Sequence, residues 1–262
     1  IIVFVVLSIL EVFITLSGGG TIFKTFVNKL MLPAAFTTFI LQPWSLISYF
    51  FLHLSFGHIL WNMLFLYWFG KIIHDNIGNN AVISLYVLGG IIGGLSYMAL
   101  FNIIPFYGDR VSDSLMLGAS AGVFSIVAGS ATLLPNYTFY LLFLGPVRIK
   151  YIALFYILLS FLDVTGSNAG GEIAHLGGAL IGYLFIRQLQ NGVNMGEGII
   201  KIINIFNKKS SSKIKQDPPV NDEVKPDISQ DEIDKILDKI SESGYSSLSK
   251  KEKEKLFNAS KK

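Results

Sequence analysis

The sequence contains no cysteine, which excludes disulfides, thiol nucleophiles and cysteine metal sites and leaves the redox compartment open. It is also poor in charge: only 15% of its 262 residues are Asp, Glu, Lys or Arg, against 52% hydrophobic and 13% aromatic. With a mean hydropathy of +0.54, the chain is too apolar for an ordinary soluble domain and reads as a membrane protein. The shortage of charge is uneven. Long stretches before residue 187 are almost uncharged, while the C-terminal part from residue 208 onward is crowded with Lys, Asp and Glu, as expected of a membrane domain followed by a soluble tail. The net charge of +3 is modest, and the basic residues flank apolar segments instead of forming a groove-like cluster, which argues against a nucleic-acid partner. The first residue is Ile1, not Met, so the natural start is expected upstream.

A helix crossing a hydrocarbon core of about 30 Å needs roughly 20 apolar residues. Six segments approach that: residues 1–16, 57–73, 81–101, 117–134, 149–162 and 173–189. The expected fold is therefore all-α, with six transmembrane helices. Residues 17–56 carry Lys24 and Lys29 beside Trp44 and Tyr49 and read as a loop resting in the membrane interface. Lys71, Arg148, Lys150, Arg187, Lys201, Lys208 and Lys209 end or flank segments on one side, marking it as cytoplasmic. Asp109, Arg110, Asp113, Asp163 and Glu172 fall on the other side, with Lys24 and Lys29 as the contrary signs. Both termini are then cytoplasmic. The abundance of Ile, Lys and Asn hints at a bacterial source and hence an inner (plasma) membrane.

Glycines four apart recur inside the apolar segments: Gly89 and Gly93, Gly90 and Gly94, Gly118 and Gly122, Gly178 and Gly182. Such pairs let helices approach closely in lipid. In the third segment, where no reactive side chain accompanies them, packing is the whole expected role. Gly118 and Gly122 are expected to press segment four against Gly178 and Gly182 of segment six. The division expected is a membrane domain over 1–190, a juxtamembrane segment and flexible linker over 191–228, with Pro218 and Pro219 in it, and a small helical hairpin over 229–262. Ser229 to Glu232 and Ser249 to Glu252 match capping boxes. Ile233, Ile236, Leu237 and Ile240 give the first hairpin helix an apolar face, Gly244 suits its end, and Leu256 and Phe257 are placed to cover that face. So small a hairpin is expected to dock on a protein partner or on the membrane domain and not to perform chemistry.

Segment four starts at Ser120 and is stopped by Pro135, so it spans only about 22 Å at 1.5 Å per residue. Ser120 then lies below the extracytoplasmic surface. A membrane serine ordinarily bonds its own helix, but Ser120 has company. By alternation of spans, segments two, four and six run parallel. That brings His53, His58 and Asn62, Ser120, and His175 to one depth near the outer face, with His74 at the opposite end. A serine becomes a nucleophile beside a base, and neutral imidazole suits pH 7. His175 is the expected base. Lysine is absent from the outer halves of the helices, and Glu172 and Asp163 read as loop residues, so a Ser-His dyad without an orienting acid is expected. His58 and Asn62, four apart, share a helical face and are placed to donate to an oxyanion together with backbone N–H groups at the start of segment four. Phe124, one turn below Ser120, is placed to pack on the His175 ring.

Zinc is a weaker reading. His53 and His58 are five apart, no His-Glu-x-x-His motif exists, and the Glu172-x-x-His175 pair lacks the further helical carboxylates that a di-metal bundle needs. No metal or other cofactor is expected. A small transporter or channel would place polar groups along a midplane path, whereas here they gather near one surface.

Three stretches in order resemble the rhomboid intramembrane proteases: His53-Leu54-Ser55-Phe56-Gly57-His58 continuing to Asn62, Gly118-Ala119-Ser120-Ala121-Gly122, and Ala174-His175-Leu176-Gly177-Gly178. The resemblance covers about residues 1–190. It implies a six-helix rhomboid core, hydrolysis of peptide bonds within or near the transmembrane segments of membrane-protein substrates in the lipid bilayer, and no cofactor. It implies Ser120 as nucleophile, His175 as general base and His58 and Asn62 at the oxyanion site, with His53 supportive. Two features depart from the family pattern: Ala121 follows the serine where glycine is common, and the Trp-Arg pair of many first loops is absent. Catalytically silent relatives that hold membrane clients characteristically lack the nucleophile or base, and this chain keeps both.

Overall fold

All six apolar segments are helical. The computed structural model describes residues 1–141, 145–211, 230–243, 247–249, 251–253 and 255, and contacts divide the chain into Ile1–Lys208 and Lys209–Lys262. In the first unit, α1 (Ile2–Leu16) is followed by α2 (Gly20–Leu30), α3 (Phe36–Leu41) and α4 (Ser45–Ser48), then by α5 (Phe56–Asn76) and α6 (Asn79–Ile103). Next come α7 (Ser120–Leu133), α8 (Ile149–Leu162), α9 (Ala169–Gln190) and α10 (Glu197–Ser211), which runs past the boundary at Lys208.

By length and composition, α6 and α9 are the helices able to cross a membrane. A third joins them if the bent pair Ser45–Phe51 and Phe56–Asn76, turned by 95°, is one broken span. The other apolar helices, α1, α7 and α8, have 15, 14 and 14 residues. The described residues thus hold two to three spans by this measure where six were expected. The short ones have visible stops: Pro135 follows α7, while Arg148 and Asp163 bracket α8.

Residues 17–56 are not a plain loop. Besides α2 to α4 they carry β1 (Leu32–Pro33), which pairs antiparallel with β2 (Leu115–Met116), Leu32 opposite Met116. Leu32, Ala34, Tyr49 and Phe50 are buried with Tyr97, Phe101 and Ile173, which explains the folding of a stretch whose lysines and aromatics suggested an interfacial coil. The Tyr49 hydroxyl donates to the Gly90 carbonyl at 2.6 Å, and the Tyr86 hydroxyl to that of Phe50 at 3.0 Å. β3 (Thr138–Leu141) and β4 (Gly145–Arg148) form a second antiparallel pair that leads into α8.

At the centre stands α7, packed against α5, α6, α8 and α9. Nine of its 14 residues are buried, whereas α1 buries none. In lipid no hydrophobic force drives helices together, so close approach and hydrogen bonds carry the association. Ser130 of α7 donates to the Phe69 carbonyl of α5 at 2.9 Å. Towards α9 the approach is closer still: a methyl group on Gly178 would strike the Ala121 carbonyl oxygen, and one on Gly182 that of Ser125. This corrects the expected pairing in one respect. Gly178 and Gly182 meet Ala121 and Ser125, while Gly122 instead faces Tyr86 of α6 and Gly118 faces His58.

The amphipathic α10, with Ile199, Ile200 and Ile203 partly covered, is a helix where only a juxtamembrane segment was foreseen. In the second unit, α11 (Gln230–Ser243) buries Ile236, and Leu248 is buried too. The Ser249–Glu252 capping box is formed, with Ser249 N–H donating to Glu252 at 2.7 Å and Glu252 N–H to Ser249 Oγ at 3.3 Å. Lys239 reaches Glu252 at 2.9 Å and Lys255 reaches Glu232 at 3.0 Å. The hydrogen bond from Lys239, followed by those from Ser249, holds the Glu252 carboxyl down at about 2. The linker from residue 212 to 228, Ser229, Gly244, Leu256 and Phe257 lie outside the described residues.

Candidate active site

The strand-like approach to Ser120 is fixed from afar. Ala34 N–H donates to the Ser114 carbonyl and Gly118 N–H to the Tyr49 carbonyl, each at 3.0 Å. Gly118 has φ +130°, a conformation that disfavours any side chain. A methyl group there would also sit 3.1 Å from His58 Nε2 and 3.5 Å from Ser120 Oγ. The turn therefore needs glycine on both counts, and it brings His58 and Ser120 to the two sides of one backbone position. Immediately after it α7 begins, with no side-chain cap, so its first N–H groups lack an intrahelical partner.

From the other side, α9 presents His175, whose Nε2 lies 2.7 Å from Ser120 Oγ. Phe124 stacks on the imidazole, with centroids 4.2 Å apart and planes 4° from parallel, and so fixes its tilt. On α5, Ser55 caps the helix by accepting from His58 N–H at 3.2 Å. Asn62 donates one amide hydrogen to the His58 carbonyl at 2.9 Å, leaving its second. Ser120, His175, His58 and Asn62 all line one cavity of about 650 Å³, together with Trp61, Phe65, Phe124 and Tyr156.

His53 stands beside this cavity. Its ring meets that of His58 edge-on at 5.1 Å, and both its nitrogens are buried without a partner. His74 lies at the far end of α5, against Asp75 at 3.1 Å. Among the described residues, no three His, Cys, Asp or Glu side chains gather closely enough to hold a metal ion.

Three residues escaped the sequence reading. Glu172 is not in a loop but in the first turn of α9, and its Oε2 lies 3.1 Å from His175 Nδ1. Asn168 Nδ2 donates to Glu172 Oε1 at 3.1 Å, and Ser160 of α8 places Oγ 3.1 Å from the same Nδ1. The signal for Glu172 was its place three residues before His175. It was missed because α9 starts at Ala169, four residues before the apolar run begins.

A family model described as the rhomboid domain matches residues 41–190. The chain belongs to the rhomboid family. The matched region of this rhomboid chain holds every residue named in the cavity, and with its apolar helices it makes the chain an integral membrane protein. A second model, described as a family of unknown function (DUF6576), matches residues 224–262. A curated relative, "RHOMBOID-like protein 12, mitochondrial" of Arabidopsis thaliana, is 31% identical over 158 residues, 56% of this chain and 47% of that protein. The rhomboid chain thus spans about half the length of the curated relative it matches. The relative's name places that protein in the mitochondrion and lends no support to a bacterial inner membrane for this one.

Proposed function

We propose that this rhomboid chain is an intramembrane serine endopeptidase in which Ser120 attacks and His175 is the base. The observation that carries the reading is the 2.7 Å contact between Ser120 Oγ and His175 Nε2. As Oγ bonds to the substrate carbonyl carbon, its proton passes to Nε2. The tetrahedral intermediate collapses when Nε2 returns that proton to the departing amine, leaving an acyl ester on Ser120. Water then attacks the ester while giving a proton to Nε2, and that proton restores the Ser120 hydroxyl as the acid leaves. The developing oxyanion is met by His58, by the second amide hydrogen of Asn62 and by the uncapped N–H groups at the start of α7. Substrates are membrane proteins cut in or near a transmembrane segment, and the six apolar segments form a six-helix core with the site towards the extracytoplasmic face.

A serine-reactive fluorophosphonate tests the pair. Wild-type protein is expected to label at Ser120, and His175→Ala to lower the labelling rate by at least about tenfold. Equal labelling in the absence of His175, or labelling that persists in Ser120→Ala, would remove the assignment.

The C-terminal unit serves binding or regulation on this reading. Deleting residues 210–262 is expected to leave hydrolysis of a minimal peptide within about twofold of the full chain, as befits a separate unit. A folded core that no longer cuts the peptide would refute it.

A further inference from the structure

We propose that Glu172 is a positioning residue for the reaction, a third member that sets which nitrogen of His175 carries the proton. The proposal rests on the reading of Ser120 and His175 as nucleophile and base.

Neutral imidazole carries one proton, on Nδ1 or on Nε2. Only the Nδ1–H form leaves Nε2 with a lone pair to receive the Ser120 proton. What faces Nδ1 therefore decides whether the base is armed. Two groups do: Ser160 Oγ and Glu172 Oε2, each at 3.1 Å. A serine hydroxyl both donates and accepts, so Ser160 alone favours neither form. Were it to donate to Nδ1, it would stabilise the form in which Nε2–H points at Ser120, and the base would be lost. A carboxylate accepts only. Glu172 Oε2 can be satisfied by an Nδ1–H and by nothing else the imidazole offers.

The carboxylate is itself held. Asn168 Nδ2 donates to Oε1 at 3.1 Å, and the Glu172 backbone N–H bonds the Asn168 carbonyl at 3.1 Å as α9 begins. Glu172 and His175 are three apart on one helix, a spacing that puts side chains on a common face. Their side chains are only 15% and 13% exposed, so water competes little for the contact. His175 lies in the opening turns of α9, near the positive end of the helix dipole, which opposes formation of the imidazolium. An anion in the first turn offsets that field at the moment His175 takes the proton. Glu172 accepts a hydrogen bond throughout and takes no proton itself.

The test uses the full chain in proteoliposomes with a fluorogenic transmembrane substrate, rates being expressed per site titrated with fluorophosphonate so that misfolded protein does not count. Glu172→Gln keeps the shape of the side chain but can turn an NH₂ towards Nδ1. It is expected to lower kcat by at least about tenfold, in the range of general-base effects, with KM within about twofold because substrate contacts are untouched. Glu172→Asp should recover several-fold over Glu172→Ala, and Ser160→Ala should lose less than Glu172→Gln, because a hydroxyl that both donates and accepts does not fix the proton. Wild-type kcat in Glu172→Gln, no recovery by aspartate, or a larger loss from Ser160→Ala than from Glu172→Gln would each overturn the proposal. Those results would leave the serine and histidine in place so long as Ser120→Ala and His175→Ala are inactive. Activity in those two variants would instead sink the underlying reading.

Discussion

Ser120→Ala is expected to lower peptide-bond hydrolysis by at least about 10³-fold, with His175→Ala falling to the same floor and the double variant no lower. The reason is the 2.7 Å contact between Oγ and Nε2: neither group has a role without the other, so their losses do not add. A methyl group at 120 removes the nucleophile yet costs little in packing, because Ser120 is only partly buried and faces the cavity. Cleavage of a single-span reporter in proteoliposomes measures this. Undiminished cleavage by Ser120→Ala would end the assignment, and a double variant far worse than either single one would show that the two residues act independently.

Gly178→Val is expected to damage both rate and stability. The added side chain would have to occupy the space of the Ala121 carbonyl oxygen, so α9 must move away from α7. Overpacking of this kind costs about 1–3 kcal/mol or more. His175 is one turn from Gly178 on the same helix, and Ser120 is the neighbour of Ala121. Separating the helices therefore stretches the Ser120–His175 contact directly, and if that pair reacts as proposed a displacement of about 1 Å costs on the order of 10²-fold. Thermal unfolding in detergent should show a lower midpoint, and rates per folded molecule should fall as well. Wild-type values of both would mean that the small face at Gly178 does not set the distance.

Much of this cluster was legible because its residues sit near the starts of apolar runs, and the structure lines one cavity with them. His58, Asn62, Ser120 and His175 lie within the first six residues of their apolar runs. Phe124 followed from helical spacing alone. Other parts were not legible for physical reasons. The start of α9 was set too late, because Gly170 and Gly171 are poor helix formers and Glu172 lies outside the apolar run, whereas Ala169 is buried in the same core as Tyr97 and Ile173. With the helix begun at Ile173, Glu172 looked like a solvated loop acid. Residues 17–56 hid their structure because the pairing of Leu32 with Met116 joins segments far apart in sequence, which local patterns cannot reveal. The glycine partners were guessed by spacing, yet which face of α7 meets α9 depends on helix rotation, and it is Ala121 and Ser125 that do so.

The order of the site along the chain also bears on biosynthesis. Ser120 and His175 are 55 residues apart, and the ribosome adds about 5–20 residues per second. A nascent chain therefore carries Ser120 for about 3–11 s before His175, the base proposed for it, has been made. On that proposal, neighbouring proteins being inserted through the same machinery would meet a plain alcohol during the interval. On the roles proposed for Ser120 and His175, activity would arrive only with α9, and a chain cut short before it would be a harmless fragment instead of an unregulated protease.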